Sequence, residues 1–365
     1  MLARHHSFHR IFFVCSVAIF VCALSEQTTS ACSAFLLSSG GNKTVGKNFD
    51  WNYDHGLVVV NKRHLIKTAL AKSPNVPARW TSKYGSVTFN QVSRELPQGG
   101  INEKGLIIEI LWLDSASYPA QDERPVINEL QWIQYQLDNF SSIREVIANL
   151  DRVRRAKSFA NIHYFMCDPS EQCATVEPLD GKFVVHTGDT LPVAALTNDN
   201  YSDSVHYAEK AAQNAHCANI PIDPSSLNRF SKIACLLKPI ANSDQTTPPV
   251  NVFSILGEVA QAHHTKWSIT YDLTDLEVTF HTDRASANKL IRLRGLDFSC
   301  AQPTQILDIN RKAGGDATGS FKPYTVKANR KIVELSLATG FAHLPPPVID
   351  LLTRYPDSAV CNFTN

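Results

Sequence analysis

The eight residues TTSACSAF, at positions 28–35, join a run of small residues to a cysteine and the start of an apolar stretch. They follow a basic N-terminus and the short apolar run IFFVCSVAIFVCAL at 11–24. A basic start, an apolar run and small residues before a cut are typical of a secretory signal. Residues 1–31 are therefore predicted to be a signal, and Cys32 is either half of a disulfide or the first residue of the processed chain.

The apolar run at 11–24 is too short to anchor the chain, because a membrane-spanning helix needs about 20 such residues. A bacterial lipoprotein signal has a branched aliphatic residue three positions before its cysteine, where this chain has Thr29. A lipidated Cys32 is therefore disfavoured, although it stays an alternative. We predict a secreted or periplasmic protein without stable membrane insertion.

Cysteine parity also distinguishes Cys32. The sequence contains nine cysteines, two of which belong to the predicted signal. The remaining count is odd, and outside the cytosol an odd cysteine indicates an intermolecular bridge or a free thiol with a function. Apart from Cys32, the others could form three disulfides, and one arrangement pairs Cys167 with Cys173, Cys217 with Cys235, and Cys300 with Cys361.

Length and composition suit a chain with a sizeable core. It has 365 residues, of which 44% are hydrophobic and 19% charged. The formal net charge of +1 gives no basis for a nucleic-acid partner. No linker or repeat divides the mature part, so we predict a single domain over 32–365, with a looser C-terminal extension from about residue 302.

Hydrophobic periodicity predicts grouped strands and helices, an order that indicates an α+β fold with antiparallel sheets. Asp180-Gly181 is a strong signal for a two-residue hairpin. Pro125 suits the first position of a helix, and Ser142 begins a capping box. The predicted strands lie at 33–39, 56–63, 85–91, 105–113, 159–168, 174–188, 192–198 and, as a hairpin, 267–282; the helices begin near 125 and 142 and span about 203–215, 225–238 and 250–262.

The motifs of several common enzyme classes are absent. The sequence contains no G-x-S-x-G, H-E-x-x-H, P-loop or G-x-G-x-x-G motif in its expected setting. His263 and His264 are adjacent, so on a helix their rings point apart and a metal site there is disfavoured. We predict neither a metal nor a cofactor.

An N-terminal cysteine can act without any of these motifs. An α-amino group has a pKa of about 7.7–8.0 and a thiol one of about 8.5, so proton transfer between them is balanced near neutral pH. The amine of Cys32 could therefore serve as general base for its own thiol. From the local sequence alone, a structural disulfide cysteine is the favoured interpretation.

Several segments in order resemble the choloylglycine hydrolase family, which includes penicillin V acylases and conjugated bile-salt hydrolases. Each match is weak alone, but together they cover most of residues 32–300. The matching segments are CSAF at 32–35, VGKNFDW at 45–51, GINEKGL at 100–106, LTND at 196–199, SLNRF at 226–230 and WSITYDL at 267–273. The resemblance implies an N-terminal-nucleophile (Ntn) hydrolase with a four-layer αββα sandwich of two packed antiparallel sheets.

The resemblance also implies roles for individual residues. Cys32 would be the nucleophile, and Asp50 would hold its amine. Asn198 would donate a side-chain N–H to the oxyanion, and Trp112 would donate its backbone N–H. Arg229 would place a positive charge near the thiol, which favours thiolate.

Two positions depart from the family pattern. Lys47 stands where arginine is common, three residues before the aspartate, and lysine lacks the planar fork that binds carboxylates in a bidentate way. Trp112 stands where bile-salt hydrolases tend to have asparagine and penicillin V acylases tyrosine. The backbone role tolerates any residue except proline, so Trp112 implies a differently shaped substrate.

The function predicted from the sequence is hydrolysis of a linear amide by a secreted cysteine enzyme. Alternative substrates are N-acyl homoserine lactones and N-acylethanolamine or ceramide-type amides. A secreted disulfide protein or a lipid-anchored binding protein is the non-enzyme alternative. Substrate choice would depend on loops near 55–60, 80–98 and 112–120. A small-molecule amide is the expected partner, and a homo-oligomer is possible.

Overall fold

The structure is a computed structural model that describes residues 32–39, 41–71, 74–170, 172–214, 216–221, 223–241, 251–338 and 344–362. The predicted signal at 1–31 lies outside the described residues. The strands are β1 (Ser33–Ser39), β2 (Asn42–Asp50), β3 (Leu57–Asn61), β4 (Leu65–Thr68), β5 (Arg79–Thr81), β6 (Ser86–Ser93), β7 (Leu96–Asn102), β8 (Ile107–Trp112), β9 (Val126–Asn128), β10 (Arg154–Ala156), β11 (Ile162–Cys167), β12 (Cys173–Leu179), β13 (Lys182–Thr187), β14 (Ala195–Leu196), β15 (Thr265–Asp272), β16 (Glu277–Thr282), β17 (Ala285–Arg292), β18 (Gln305–Asp308), β19 (Gly315–Asp316), β20 (Lys322–Pro323) and β21 (Val360–Cys361). The helices are α1 (Glu129–Asn139), α2 (Ile143–Ile147), α3 (Tyr201–Asn214), α4 (Ser226–Ala241), α5 (Val252–Glu258), α6 (Val326–Ala338) and α7 (Pro346–Arg354).

Two large sheets organise these elements. A seven-stranded sheet has the order β14-β1-β2-β15-β16-β17-β19, and a nine-stranded sheet has the order β13-β12-β11-β8-β7-β6-β3-β18-β20. Among the described residues, the strand pairs within both sheets are antiparallel, apart from the parallel pair β17–β19. The smaller sheets are β9–β10 and β21-β4-β5.

The two large sheets pack against each other, and helices cover their outer faces. Alternation along β8 illustrates the layering, since successive residues of a strand point to opposite sides. Ile107 and Leu111 join the core between the sheets, whereas Ile108 and Ile110 pack with the residues of α1. The helices α3 to α5 lie with the seven-stranded sheet, and α1 and α6 lie on the nine-stranded one. The predicted four-layer αββα sandwich of the Ntn-hydrolase type is confirmed.

Most predicted elements are present, but Pro125 does not begin a helix. Val126–Asn128 forms a short strand that pairs in parallel with Arg154–Ala156, and α1 begins after Asn128. The Asn128 side chain accepts from two backbone N–H groups of the first turn, which makes it the cap. The helix is present, but it begins later than predicted. Residues 126–128 pair with a strand far along the chain instead, and local periodicity does not reveal that pairing.

Other boundaries also differ. The strand predicted at 192–198 is limited to Ala195–Leu196, and within the described part of 250–262 the helix is limited to Val252–Glu258. The predicted Asp180-Gly181 hairpin is present, with positive φ angles of 50° and 73° at its two turn residues. Two consecutive positive φ angles match the twist of a tight hairpin.

The three disulfides are those considered from the sequence: Cys167–Cys173, Cys217–Cys235 and Cys300–Cys361. Among the described cysteines, Cys32 alone carries a free thiol, and it is buried. The last disulfide ties the C-terminal segment to the body of the domain. The segment expected as a loose extension from about residue 302 also adds β18 to the nine-stranded sheet. In the described part of the chain, no helix combines the length and apolarity needed to cross a membrane.

Candidate active site

Cys32 lies immediately before β1, at one end of the seven-stranded sheet. Its side chain is only 3% exposed, and its Sγ is 3.9 Å from the backbone oxygen of Asp50. The two residues meet because β1 and β2 are an antiparallel pair, in which Ser33 lies opposite Asn48. The start of the first strand is thereby placed beside the end of the second.

Asp50 is the last residue of β2 and is fully buried. Its Oδ1 accepts a hydrogen bond of 2.5 Å from the hydroxyl of Thr265, the residue opposite it on β15. Burial raises the pKa of the Asp50 carboxyl to about 6, against the lowering effects of Arg229, Thr265 and Lys47. A buried carboxyl of this kind ionises near neutral pH.

Arg229 reaches the same point from helix α4. Its Nη1 donates to the backbone oxygen of Cys32 and to the hydroxyl of Ser33, both at 2.6 Å. Its Nη2 donates to Oδ1 of Asn198 at 2.9 Å. The guanidinium is 2% exposed. One buried cation therefore links the cysteine to the asparagine.

Asn198 lies two residues after the end of β14, next to Thr197. Its backbone N–H donates to Oγ of Ser226 at 2.7 Å, at the start of α4. Its side-chain Nδ2 donates to the backbone oxygen of Trp112 at 2.9 Å. Oδ1 accepts from Arg229 and Nδ2 donates to Trp112, so these two hydrogen bonds together fix the orientation of the Asn198 amide.

Among the described residues, the second half of β8 has no strand partner on its β7 side, which explains why the side chains of Asn198 and Lys47 bind its backbone. The β7–β8 ladder ends at Glu109, so polar backbone groups beyond it lack a strand partner on that side. Lys47 donates to the backbone oxygen of Ile110, and Asn198 to that of Trp112, two residues further on. Both buried carbonyls are satisfied by side chains.

The N–H of Trp112 points to the same edge. In an antiparallel pair the residues alternate in the side to which their backbone groups are directed. The N–H of Leu113 donates to Asn161 on the β11 side, so the N–H and C=O of Trp112 face away from β11. The C=O of Trp112 meets Asn198 there, and its N–H lies on the same side of the strand.

A narrow cavity opens beside the thiol. Its wall is apolar and aromatic, and two glutamines provide polar groups. It is lined by Cys32, Phe49, Trp51, Gln91, Gln98, Ile110, Leu111, Trp112, Leu130, Ala160 and Ile162. Lys47, Asp50 and Arg229 act electrostatically on the thiol without lining this cavity, and Asn198 is linked to Cys32 through Arg229.

Electrostatics at the thiol act in opposite directions. Burial raises the pKa of the Cys32 thiol above its ordinary value, Lys47 and Arg229 act to lower it, and Asp50 acts to raise it. Burial is the largest of these influences. Within the described residues, no group of three or more His, Cys, Asp or Glu side chains could hold a metal ion.

Sequence reasoning missed three residues around this site. Thr265 binds Asp50, and Glu109 accepts a hydrogen bond from Tyr271 in the core between the sheets. Burial raises the pKa of Glu109 to about 7, while Lys47 and Tyr271 act to lower it. The available signal was a single glutamate in the otherwise apolar run GLIIEILWL at 105–113.

Comparisons with known proteins find relatives by sequence and by structure. The chain is 28% identical over 205 residues to a penicillin V acylase of Pectobacterium atrosepticum. The alignment covers 51% of this chain and 54% of the relative. The chain therefore spans about half the length of that curated relative. Penicillin V acylase from Agrobacterium tumefaciens has a similar structure, with a TM-score of 0.70, 26% identity and coverage of 80% of this chain and 98% of the other.

A second solved structure supports the fold alone. Conjugated bile acid hydrolase from Clostridium perfringens has a TM-score of 0.66 at 16% identity, covering 78% of this chain and 98% of the other. Residues 32–263 match the family described as linear amide C-N hydrolases, choloylglycine hydrolase family. This match begins at Cys32 and spans more than half of the chain. The protein belongs to the choloylglycine hydrolase family of linear amide C–N hydrolases.

Proposed function

We propose that the protein is a secreted or periplasmic hydrolase that cleaves a linear amide C–N bond with Cys32 as its N-terminal nucleophile. The observation that carries the proposal is that Asp50 lies beside the buried thiol while Arg229 links the Cys32 backbone to Asn198, next to an apolar cavity. Three disulfides and the predicted signal support a location outside the cytosol.

Removal of the residues before Cys32 would expose its α-amino group. That amine takes the proton of the thiol, and Asp50, whose carboxyl lies at the end of the neighbouring strand, holds the resulting ammonium. Arg229 contributes a fixed positive charge that acts to lower the pKa of the Cys32 thiol. The amine, rather than a histidine, is thus the general base.

The thiolate then attacks the amide carbonyl carbon, and the carbonyl oxygen becomes negative. Asn198 donates one side-chain N–H to Trp112 and retains a second for this oxyanion. The Trp112 N–H, on the same edge of β8, is the second donor. One oxyanion donor contributes roughly 3 kcal/mol of transition-state stabilisation in related chemistry.

Collapse of the tetrahedral intermediate breaks the C–N bond and transfers the ammonium proton to the leaving amine. Water, deprotonated by the α-amine, then attacks the thioester, releases the acid and returns the thiol. Every proton in this cycle moves through the Cys32 amine, so the reaction consumes only the amide and one water.

The cavity favours an apolar acyl group. Trp51 and Trp112 lie with their ring centroids 6.1 Å apart, and Phe49 extends the aromatic wall. An aromatic or aliphatic acyl group would bury apolar area there. Penicillin V-like amides, bile-salt conjugates, N-acyl homoserine lactones and N-acylethanolamines all carry such a group.

Mass spectrometry and kinetics on the processed protein test the proposal. The mature chain is expected to begin at Cys32, and one or more of these four amides is expected to be hydrolysed. Cys32→Ala should abolish hydrolysis, with a loss of at least about 10⁴-fold. Ser38→Ala, at an exposed position of the same strand, serves as the control and should retain activity. Full activity of Cys32→Ala, or a fully active chain that begins upstream, would refute the proposal.

A further inference from the structure

A buried histidine lies directly behind the asparagine that is proposed to bind the oxyanion. His163, on β11, is 0% exposed. Its Nδ1 is 3.0 Å from Oε1 of Glu177, and its Nε2 is 2.7 Å from the backbone oxygen of Thr197. The reaction proposed above gives this histidine no part.

The contact with Thr197 acts on the peptide group that carries Asn198. The C=O of Thr197 and the N–H of Asn198 belong to one planar unit. His163 holds the carbonyl end at 2.7 Å, and Ser226 Oγ accepts from the amide end at 2.7 Å. Because hydrogen bonds hold both ends of this peptide group, they fix the backbone of Asn198 and thereby the base of its side chain.

Hydrogen-bond chemistry determines which nitrogen of His163 donates to Thr197. A backbone carbonyl only accepts, so Nε2 must carry a proton. Glu177 contacts Nδ1 on the other side of the ring and accepts the N–H of Tyr201 at 3.0 and 3.2 Å. The ring is therefore held at both nitrogens, with its Nε2–H directed at Thr197.

A second histidine close to this pair lies toward solvent. His186, on β13, places Nε2 3.7 Å from Oε2 of Glu177, and its side chain is 17% exposed. Its ring lies 4.8 Å from that of Tyr201. In the described part of the chain, His186 forms no hydrogen bond with Thr197 or Asn198, so it offers a matched comparison within the same network.

We propose that His163, held in place by Glu177, is a positioning residue that orients Asn198 toward the oxyanion. The inference depends on the proposed function, because it assumes that Asn198 is an oxyanion donor. His163 does not touch the reacting atoms. It acts through the Thr197–Asn198 peptide group, so it affects the chemical step more than substrate binding.

Steady-state kinetics on the processed enzyme separate this role from ordinary packing. His163→Leu is expected to lower kcat by about 10- to 100-fold and leave KM within about twofold, since interactions made only in the transition state appear in kcat. Ser226→Ala, which releases the other end of the peptide group, should lower kcat in the same selective way. His186→Leu should leave both constants within about twofold.

Nitrogen-15 NMR of histidine side chains in the wild-type protein provides a readout that needs no substrate. The signal of His163, assigned by its absence from the spectrum of His163→Gln, should show a proton on Nε2, the nitrogen that donates to Thr197. An Nε2 without a proton, or unchanged kcat in both His163→Leu and Ser226→Ala, would overturn the inference. If His163→Leu does not fold, Ser226→Ala and the NMR spectrum decide.

These outcomes are distinct from failure of the proposed function. A processed wild-type protein that hydrolyses none of the four amides would refute the hydrolase itself. An active wild type whose His163 and Ser226 variants keep their kcat would leave the hydrolase intact and refute only the positioning role.

Discussion

Two buried groups of charged side chains can be compared within this domain. One, the Lys67 cluster, consists of Lys67, Arg94, Glu95 and Asp138. The other, the Cys32 cluster, consists of Cys32, Lys47, Asp50 and Arg229. The eight residues are each at most 5% exposed, so burial alone does not distinguish the clusters.

The clusters differ in what their charges contact. Lys67 Nζ lies 3.1 Å from both Glu95 and Asp138, and Arg94 binds Glu95 at 2.9 Å. Burial raises the pKa of Glu95, but Lys67 and Arg94 outweigh it, so that the pKa is lowered overall. In the Lys67 cluster opposite charges are in direct contact, although burial still raises the pKa of Asp138 against the lowering effect of Lys67.

In the Cys32 cluster the cations contact neutral oxygens instead. Lys47 donates to the Ile110 carbonyl, and Arg229 donates to the Cys32 carbonyl and the side chains of Ser33 and Asn198. Among the described residues, neither cation forms an ion pair. Their positive potential therefore remains available at the thiol, and the pKa of Asp50 is raised by burial to about 6. Direct pairing favours stability, whereas charges held by neutral groups are suited to chemistry.

The largest effect is expected from breaking the Lys67 cluster. Lys67→Met leaves Glu95 and Asp138 buried without their shared cation, which should lower the free energy of unfolding by about 3–5 kcal/mol. The kcat of the folded enzyme should stay within about twofold, because Lys67 touches no residue of the Cys32 cluster. Denaturant unfolding and steady-state kinetics measure the two quantities.

Lys331→Met provides the control, since Lys331 is exposed on α6. Its effect on stability should be within about 0.5 kcal/mol. A Lys67→Met protein that keeps wild-type stability, or that loses its chemistry while remaining stable, would contradict the assignment of this cluster to folding.

The opposite result, a loss of activity with little loss of stability, is expected at Asn198. Asn198→Ala removes one oxyanion donor and should lower kcat by about 10²- to 10³-fold. Stability should fall by only about 1 kcal/mol, because the partly buried hydrogen bonds to Trp112 and Arg229 are lost. Asn228→Ala, one residue before Arg229 on α4, is the control and should keep kcat. Equal kcat values for the two variants would remove Asn198 from the proposed reaction.

The sequence predicted the Asn198 position through family motifs, but it could not predict what orients the residue. Cys32, Asp50 and Asn198 lie in short motifs whose order is visible along the chain. Thr265 contacts Asp50 across 215 positions, at a bulge in β15, and His163 contacts Thr197 across 34 positions. Such contacts depend on register, which no local pattern specifies.

The same distinction applies to the fold. Alternating apolar segments predicted most strands, and cysteine parity distinguished Cys32. The start of α1 was wrong because the parallel β9–β10 pairing of Val126 with Arg154 replaced the first turn that Pro125 suggested. Local chemistry therefore predicted the elements well, and non-local pairing decided their ends.

An intermediate effect is expected from the pH dependence of stability. The pKa of Glu109 is raised by burial from 4.5 to about 7, so the folded state binds a proton that the unfolded state releases. This contribution is fully present below pH 4.5 and is lost as the pH rises through about 7. Wild-type stability should fall over this window relative to Glu109→Gln, by at most about 3 kcal/mol.

Unfolding measured at several pH values checks this expectation. The glutamine keeps an oxygen that can accept from Tyr271, so the difference between the curves isolates the ionisation of Glu109. Glu123→Gln, at an exposed position, should run parallel to the wild type. Parallel curves for Glu109→Gln as well would mean that Glu109 ionises alike in both states.

The smallest effect is expected at Trp112, where the cluster meets the cavity. Trp112→Phe keeps the backbone N–H that is proposed to bind the oxyanion and loses the indole hydrogen bond to Asp114, which is 2.6 Å long. That bond is partly exposed and contributes about 1 kcal/mol or less. We expect kcat within about threefold of the wild type, and a larger change in KM because the cavity wall changes shape. A kcat loss as large as that of Asn198→Ala would mean that the indole itself takes part in the chemical step. The distinction between the backbone of β8 and the side chains of the cavity would then no longer hold.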